Sequence, residues 1–286
     1  MSISIDSTID PNRIKALALD LDGTLLAPGA VLSGRTLKAI HACRQRGLKI
    51  IIATGRAIDA AELFRVSLDA EGPMIYFNGA VVMDMPERKI LTATLLDKEA
   101  VEFCVDLSRE TGIYYQVYFP GNDADPRIVL MAEKDGPERE MYHKHTGLLA
   151  ELGDIKETLR RPGVDGCVKT MFLSEPEVLD SLRVKLDRHF GESAYIARTL
   201  ATFQEVMNKN VSKGRGLAFV MERLSLRPEE VIAFGDEEND VPMFEAAGFS
   251  AAPLNAKESV KAKAGMNIGS NAEDGVAVFL EELFGL

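Results

Sequence analysis

The sequence predicts a doubly wound α/β core, a parallel sheet with helices on both faces, into which a separate α+β unit is inserted. Three observations carry this reading. Continuous apolar runs of strand length alternate with helix-length segments up to about residue 77. Strands buried on both faces read as unbroken apolar runs, and strand–helix alternation builds parallel sheets. Between about residues 80 and 207 the alternation gives way to hairpin-like and alternating-polarity segments. It resumes at residue 212, so the core is discontinuous: 1–95 and 207–286 form the core, and 96–206 form the inserted unit.

Taken in order, residues 14–20 make the first strand, an apolar run that ends on Asp20. Ser33 opens a helix as its N-cap, where a side-chain oxygen satisfies a free N–H of the first turn, and Gly47 closes it. Residues 48–54, Leu-Lys-Ile-Ile-Ile-Ala-Thr, make a second buried strand followed by Gly55. Residues 57–68 carry apolar side chains at helical spacing, and 73–77 form a third strand. Residues 80–85 and 89–95 pair as a hairpin. Asp97 starts a helix that Gly112 ends. Strands at 113–119, 127–132 and 167–173, a helix at 175–190, and strands at 194–198 and 202–207 complete the insertion. Ser212 then begins a helix to about residue 224, followed by a strand at 230–235. A helix at 239–247 stops at Gly248, and a short strand at 249–253 and a last helix at 273–284 follow.

Of the 286 residues, 46% are hydrophobic and 27% charged, the balance of a folded globular protein. That length suits one large domain or two ordinary ones. A net charge of −11, from 44 acidic against 33 basic residues, excludes a broad nucleic-acid surface. It leaves room for an anionic small molecule, because a bound cation and a few local Lys or Arg reverse the field within one cleft. Cys43, Cys104 and Cys167 are odd in number and widely spaced, with no CxxC pair. Reduced, buried thiols in a cytoplasmic protein are the expectation. The opening stretch 1–13 is polar, carries Asp6 and Asp10, and has no signal-peptide layout. No apolar run reaches the length of a membrane span, so no membrane partner is expected.

Four short segments carry chemistry. In Asp20-Leu21-Asp22-Gly23-Thr24 two carboxylates sit at the mouth of a sheet on a turn that glycine permits, an arrangement suited to an Asp nucleophile beside an Asp acid/base. The plainer alternative is a strand-to-turn junction with surface aspartates. In Thr54-Gly55-Arg56 a hydroxyl and backbone N–H groups at a strand end suit phosphoryl oxygens, although a Thr-capped turn explains the same residues. Lys213 stands in the first turn of a helix, where the dipole mildly disfavours a cation; an anion opposite it would make sense of the placement, and a surface lysine is the alternative. Gly235-Asp236-Glu237-Glu238-Asn239-Asp240 packs oxygen ligands at a strand end, as a hard cation such as Mg²⁺ requires. An acidic helix start accounts for one of those carboxylates but not for five oxygen-bearing side chains. Asp20, Thr54 and Asp236 each end a predicted parallel strand, and ligands of doubly wound sheets sit outside the carboxyl ends of the strands. Residues two hundred positions apart therefore converge on one crevice.

These four segments, Asp-x-Asp-Gly-Thr, Thr-Gly-Arg, Ser-Lys-Gly and Gly-Asp-x-x-Asn-Asp in this order, resemble the haloacid dehalogenase superfamily of phosphohydrolases. The insertion between the second and third, with Phe77-Asn78-Gly79-Ala80, resembles the Cof-type branch with a type IIB cap. The resemblance runs from about Ile14 to the C-terminus. It implies that Asp20 is the nucleophile, forming an aspartyl-phosphate, and that Asp22 is the general acid/base. It implies Mg²⁺ held by Asp20, the backbone carbonyl of Asp22, and Asp236, with Asn239 and Asp240 beside the metal or phosphate. Thr54, Gly55, Lys213 and Asn239 would bind the substrate's phosphoryl group. A Thr at the position of Asp22 marks the ion-pump relatives, so Asp22 implies a phosphatase or phosphomutase.

The leading expectation is thus a Mg²⁺-dependent phosphatase acting on a small phosphorylated metabolite, a sugar phosphate or similar, with selectivity in the inserted unit. A phosphomutase and a non-catalytic regulatory protein on the same fold are the alternatives, and the intact set Asp20, Asp22, Lys213 and Asp236 speaks against the second. Among other residues, His143 and His145, spaced i, i+2, do not share a helix face and read as a solvated helix. Tyr114, Tyr115, Tyr118 and Phe119 read as packing of the inserted unit, and Arg127 and Arg198 as candidates for a second anionic group.

Overall fold

The computed structural model describes residues 8–121 and 127–286. Residues 1–7, with Asp6 of the polar opening stretch, lie outside them. In chain order the first elements are β1 (Ala16–Leu19), α1 (Gly34–Gln45), β2 (Lys49–Ile52), α2 (Ile58–Ser67), β3 (Gly72–Tyr76), β4 (Val81–Met85) and β5 (Lys89–Ala93). There follow β6 (Leu96–Asp97), α3 (Lys98–Thr111), β7 (Tyr114–Phe119), β8 (Val129–Ala132), α4 (Pro137–Thr146), β9 (Glu151–Leu152) and α5 (Ile155–Leu159). Next come β10 (Gly166–Cys167), β11 (Lys169–Leu173), α6 (Pro176–Phe190), β12 (Ala194–Leu200) and β13 (Phe203–Asn208). The chain ends with α7 (Lys213–Arg223), β14 (Val231–Phe234), α8 (Val241–Ala246), β15 (Phe249–Pro253), α9 (Glu258–Lys261), β16 (Met266–Ile268) and α10 (Gly275–Phe284). It divides into two units, one running to Leu91 and resuming over Ser212–Leu286, the other Thr92–Val211.

The core sheet has the order β16-β15-β14-β1-β2 and is parallel throughout, as its apolar strands predict. β3 continues it through a parallel bridge between Ala53 and Ile75, then pairs antiparallel with β4. Side chains alternate between the two faces of the sheet. Ala16, Ala18, Ile51, Val231 and Ala233 face Leu217, Val220 and Met221 of α7 and Met243 and Phe244 of α8. On the other face Phe234 meets Phe279 of α10 edge-on at 5.7 Å, and α1 packs beside α10. Helices thus cover both faces, and the doubly wound expectation holds. Leu19 stands opposite Ile52 on one side and Phe234 on the other. The strand-end residues that follow them leave the sheet at one level, on either side of β1, where the strand order reverses.

Glycine is required where the start of α7 meets the turn after β3. Gly79 has φ +95°, and a Cβ there would lie 2.1 Å from the carbonyl oxygen of Ser212. Gly79→Ala combines a left-handed backbone with a backbone clash that no rotamer relieves. It is expected to destabilise the fold by about 1–3 kcal/mol or more. A thermal unfolding midpoint lowered by several degrees is the expected reading, and an unchanged midpoint would refute the constraint.

The inserted unit carries a six-stranded sheet of order β12-β13-β11-β7-β8-β9, antiparallel except for β8 with β9. Val101 and Val105 of α3 and Leu179, Leu182 and Leu186 of α6 pack on Tyr115, Val117, Phe119, Phe172 and Val206. Cys43, Cys104 and Cys167 are free and buried, as expected. The predicted helix at 239–247 starts only at Val241, because Pro242 occupies its first turn and the Asp240 side chain serves elsewhere. The predicted strand at 194–198 runs on to Leu200. Among the described residues no helix is long and apolar enough to cross a membrane.

Candidate active site

Asp20 is the first residue beyond β1, and its N–H donates to the Phe234 carbonyl of the neighbouring strand at 3.0 Å. The chain turns at once through Gly23 (φ +78°), where a Cβ would fall 2.2 Å from Asp236 Oδ2. A side chain at this position would displace the Asp236 carboxylate from its place beside the turn, and the positive φ itself favours glycine. Asp20 Oδ1 accepts a hydrogen bond from Lys213 Nζ at 2.6 Å, and the same ammonium donates to Asp240 Oδ1 at 2.6 Å. All three side chains are buried. Asp240 Oδ2 accepts from the backbone N–H groups of Asp236 and Glu237, each at 3.0 Å, which ties down the loop bearing Asp236. Asp236 Oδ1 accepts from the buried Thr24 hydroxyl at 2.8 Å.

The electrostatics follow from this burial. Loss of water pushes the Asp20 carboxyl well above the usual carboxylate range; Lys213 pulls against that, and Asp240 and Asp236 add to it. Burial alone would lower the Lys213 ammonium, but Asp20 and Asp240, through charge and hydrogen bonds, hold it above its ordinary value. Burial raises Asp236 to about 6, with Asp240 and Glu237 adding to the rise and the Thr24 hydroxyl opposing it. Ligand oxygens of Asp20, Asp236 and Asp240 lie within 4.8 Å of one another. One ammonium among three buried carboxylates leaves negative charge uncompensated. Asp20 Oδ2 and Asp236 Oδ2 take part in no hydrogen bond among the described residues. Such an all-oxygen set fits a divalent hard cation.

The remaining predicted residues fall around this cluster or away from it. Thr54 is fully buried, and its hydroxyl accepts from the Arg56 N–H at 3.1 Å, shaping the turn that presents Gly55. Asn239 Nδ2 donates to Asn78 Oδ1 at 2.9 Å, while Asn239 Oδ1 is buried without a partner among the described residues. Asp22 is half-exposed and gripped by Arg56, whose Nε and Nη2 donate to its two oxygens at 2.7 and 2.5 Å. The Arg56 guanidinium lies over the Phe64 ring at 4.8 Å. Glu237 and Glu238 are exposed and turn instead to Lys257 and Ser259, so only Asp236 and Asp240 of that acidic run join Asp20. His143 and His145 sit exposed on α4. Tyr115 and Phe119 belong to the apolar core of the inserted unit, and the buried Tyr118 hydroxyl pairs with that of Tyr142. Arg198 is hydrogen-bonded to Gln204 and Asp180.

Thr24 and Asn78 stand within the motifs quoted above, but those motifs assign them no role, and the bracing role of Asp240 is not foreseen there. The signals were present: a Thr two residues past the acid pair, an Asn-Gly step after β3, and an Asp preceding a proline-started helix.

Comparison with known proteins identifies the family. A family model described as haloacid dehalogenase-like hydrolase matches residues 17–280. A putative phosphatase of Haemophilus influenzae is 30% identical over 95% of this chain and 97% of its own length. The 5-amino-6-(5-phospho-D-ribitylamino)uracil phosphatase YitU of Bacillus subtilis is 30% identical over 94% of this chain and 97% of its own. The crystal structure of TM0651 from Thermotoga maritima superposes with a TM-score of 0.82 at 29% identity, covering 94% of this chain and 97% of that one. The match over nearly the whole length places this chain among the haloacid dehalogenase-like hydrolases, and it is an enzyme of that family.

Proposed function

We propose that the protein is a Mg²⁺-dependent phosphatase that hydrolyses a small phosphorylated metabolite, a sugar phosphate or similar phosphomonoester, through an aspartyl-phosphate. The observation that carries the reading is the buried Asp20 at the end of β1, hydrogen-bonded to Lys213 and within reach of Asp236. An Asp20 carboxylate oxygen attacks phosphorus, the P–O ester bond breaks, and the departing alkoxide takes a proton from Asp22. Asp22 then takes a proton from water, whose oxygen attacks the aspartyl-phosphate and frees inorganic phosphate. Because Arg56 grips the Asp22 carboxylate, carrying a proton requires Asp22 to part from it. Lys213, Thr54, the Gly55 N–H and Asn239 hold the phosphoryl oxygens. Mg²⁺, held by Asp20, Asp236 and the Asp22 carbonyl, would supply the positive charge that lets a carboxylate approach a phosphate dianion.

The test is phosphate release from p-nitrophenyl phosphate with Mg²⁺ and no bisphosphate activator. Release should stop in excess chelator; full activity there would overturn the metal assignment, and a need for bisphosphate would indicate a mutase.

The pH dependence follows from Asp236. Its folded value, about 6, lies above the ordinary 3.8, so burying its charge disfavours the metal-free fold. The group's favourable contribution is present below about 3.8 and is lost as pH rises through about 6, a difference on the order of 3 kcal/mol. Mg²⁺ requires the ionised form. Its affinity should therefore weaken about tenfold per pH unit below 6, and it should raise the unfolding temperature more at pH 7 than at pH 5. Equal stabilisation at both values would remove Asp236 from the metal site.

A further inference from the structure

Asn78 belongs to none of the four chemical segments, yet it connects two of them. It stands in the turn after β3 with φ 58° and ψ 24°, a left-handed conformation that Asn tolerates better than most residues. Its N–H donates to the Thr54 carbonyl at 3.0 Å, and the neighbouring Phe77 N–H donates to the Arg56 carbonyl at 3.1 Å. A Cβ on Gly55 would lie 2.7 Å from Asn78 Oδ1, so the side chain rests directly on that loop. The same Oδ1 accepts from Asn239 Nδ2 at 2.9 Å. Asn78 is buried, and among the described residues Asn239 Oδ1 is buried and has no partner.

We infer that Asn78 is a positioning residue of the phosphoryl site: it fixes the Gly55 turn and the orientation of the Asn239 amide, so that the free N–H of each meets the phosphoryl oxygens. An amide is ambivalent, since either end can turn towards a ligand, and a phosphoryl group accepts hydrogen bonds but does not donate them when fully ionised. Asn78, by accepting from Asn239, selects the orientation in which a second Nδ2 hydrogen remains available. This inference rests on the phosphatase reading above.

The test is a double-mutant cycle on the full chain, read with p-nitrophenyl phosphate and with inorganic phosphate as inhibitor. Asn78→Gly keeps the left-handed backbone and removes the amide. It should raise KM and the phosphate Ki about tenfold, the scale of one lost hydrogen bond, with a smaller change in kcat. In the Asn239→Ala background the same substitution should cost clearly less than it does alone, because its effect passes partly through Asn239. Should Asn78→Gly fail to fold, Asn78→Ser supplies the cycle. A wild-type KM in the single variant, or an undiminished penalty in the Asn239→Ala background, would overturn the positioning role while leaving the phosphatase reading intact. A wild-type protein that neither hydrolyses the aryl phosphate nor gains thermal stability from inorganic phosphate would overturn both.

Discussion

Asp20→Asn should eliminate phosphate release, with kcat falling on the order of 10⁴-fold or more, while the protein stays folded. The amide keeps the shape of the carboxyl and can still accept from Lys213 Nζ, which lies 2.6 Å from Asp20 Oδ1, but it cannot attack phosphorus as a carboxylate does. The fold should tolerate the change unusually well for a buried position. Burial already pushes the Asp20 carboxyl towards its neutral form, and Asp240 and Asp236 push the same way. Removing one of three crowded carboxylates relieves that repulsion, so the unfolding temperature of the metal-free variant should match or exceed that of wild type. Divalent-metal affinity should fall, because one of the oxygen donors has lost its charge. Activity, thermal midpoint and metal titration together make the test. A variant that keeps near wild-type turnover would exclude Asp20 as the nucleophile, whatever its stability.

The sequence discloses some parts of this site and conceals others, for physical reasons. Asp20, Thr54 and Asp236 are legible because each ends an apolar run, and parallel strands bring their carboxyl ends to one edge. Lys213 is legible because a cation in a first helical turn works against the helix dipole, and the buried pair of Asp20 and Asp240 supplies the missing reason. The bracing role of Asp240 is hidden because an acid at a helix start already has a sufficient local explanation. Only its two bonds to the Asp236 and Glu237 N–H groups reveal the other function. Glu237 and Glu238 mislead for the converse reason: composition counts oxygens, but the loop turns these two outward. Asn78 and Thr24 act through tertiary contacts that no local pattern encodes. At the level of fold, long apolar strands are evident. The three residues of β16 and the two-residue strands β6, β9 and β10 are too short to show a period.

Lys213→Met should be more damaging to the fold than Asp20→Asn, although it too removes a single charge. The ammonium is 2% exposed and bonded to Asp20 and Asp240, both of which are buried. Deleting it leaves two buried carboxylates facing each other without a cation, a loss of about 3–5 kcal/mol for a broken buried pair. Asp240 cannot rotate into water, because its Oδ2 is held by two backbone N–H groups. The metal-free variant should therefore melt several degrees lower, and it should recover more stability from Mg²⁺ than wild type does, since the cation would be the remaining positive charge in the cluster. On the proposed mechanism, in which Lys213 also donates to the phosphoryl oxygens, activity at saturating Mg²⁺ should still fall ~10²-fold or more, because the metal does not replace that donor. Adding Asp20→Asn to Lys213→Met removes one of the stranded charges, so the double variant should be more stable than Lys213→Met alone. That reversal separates charge balance from packing: if the lysine served only to fill space, the two substitutions would simply add, and the double variant would melt no higher than Lys213→Met.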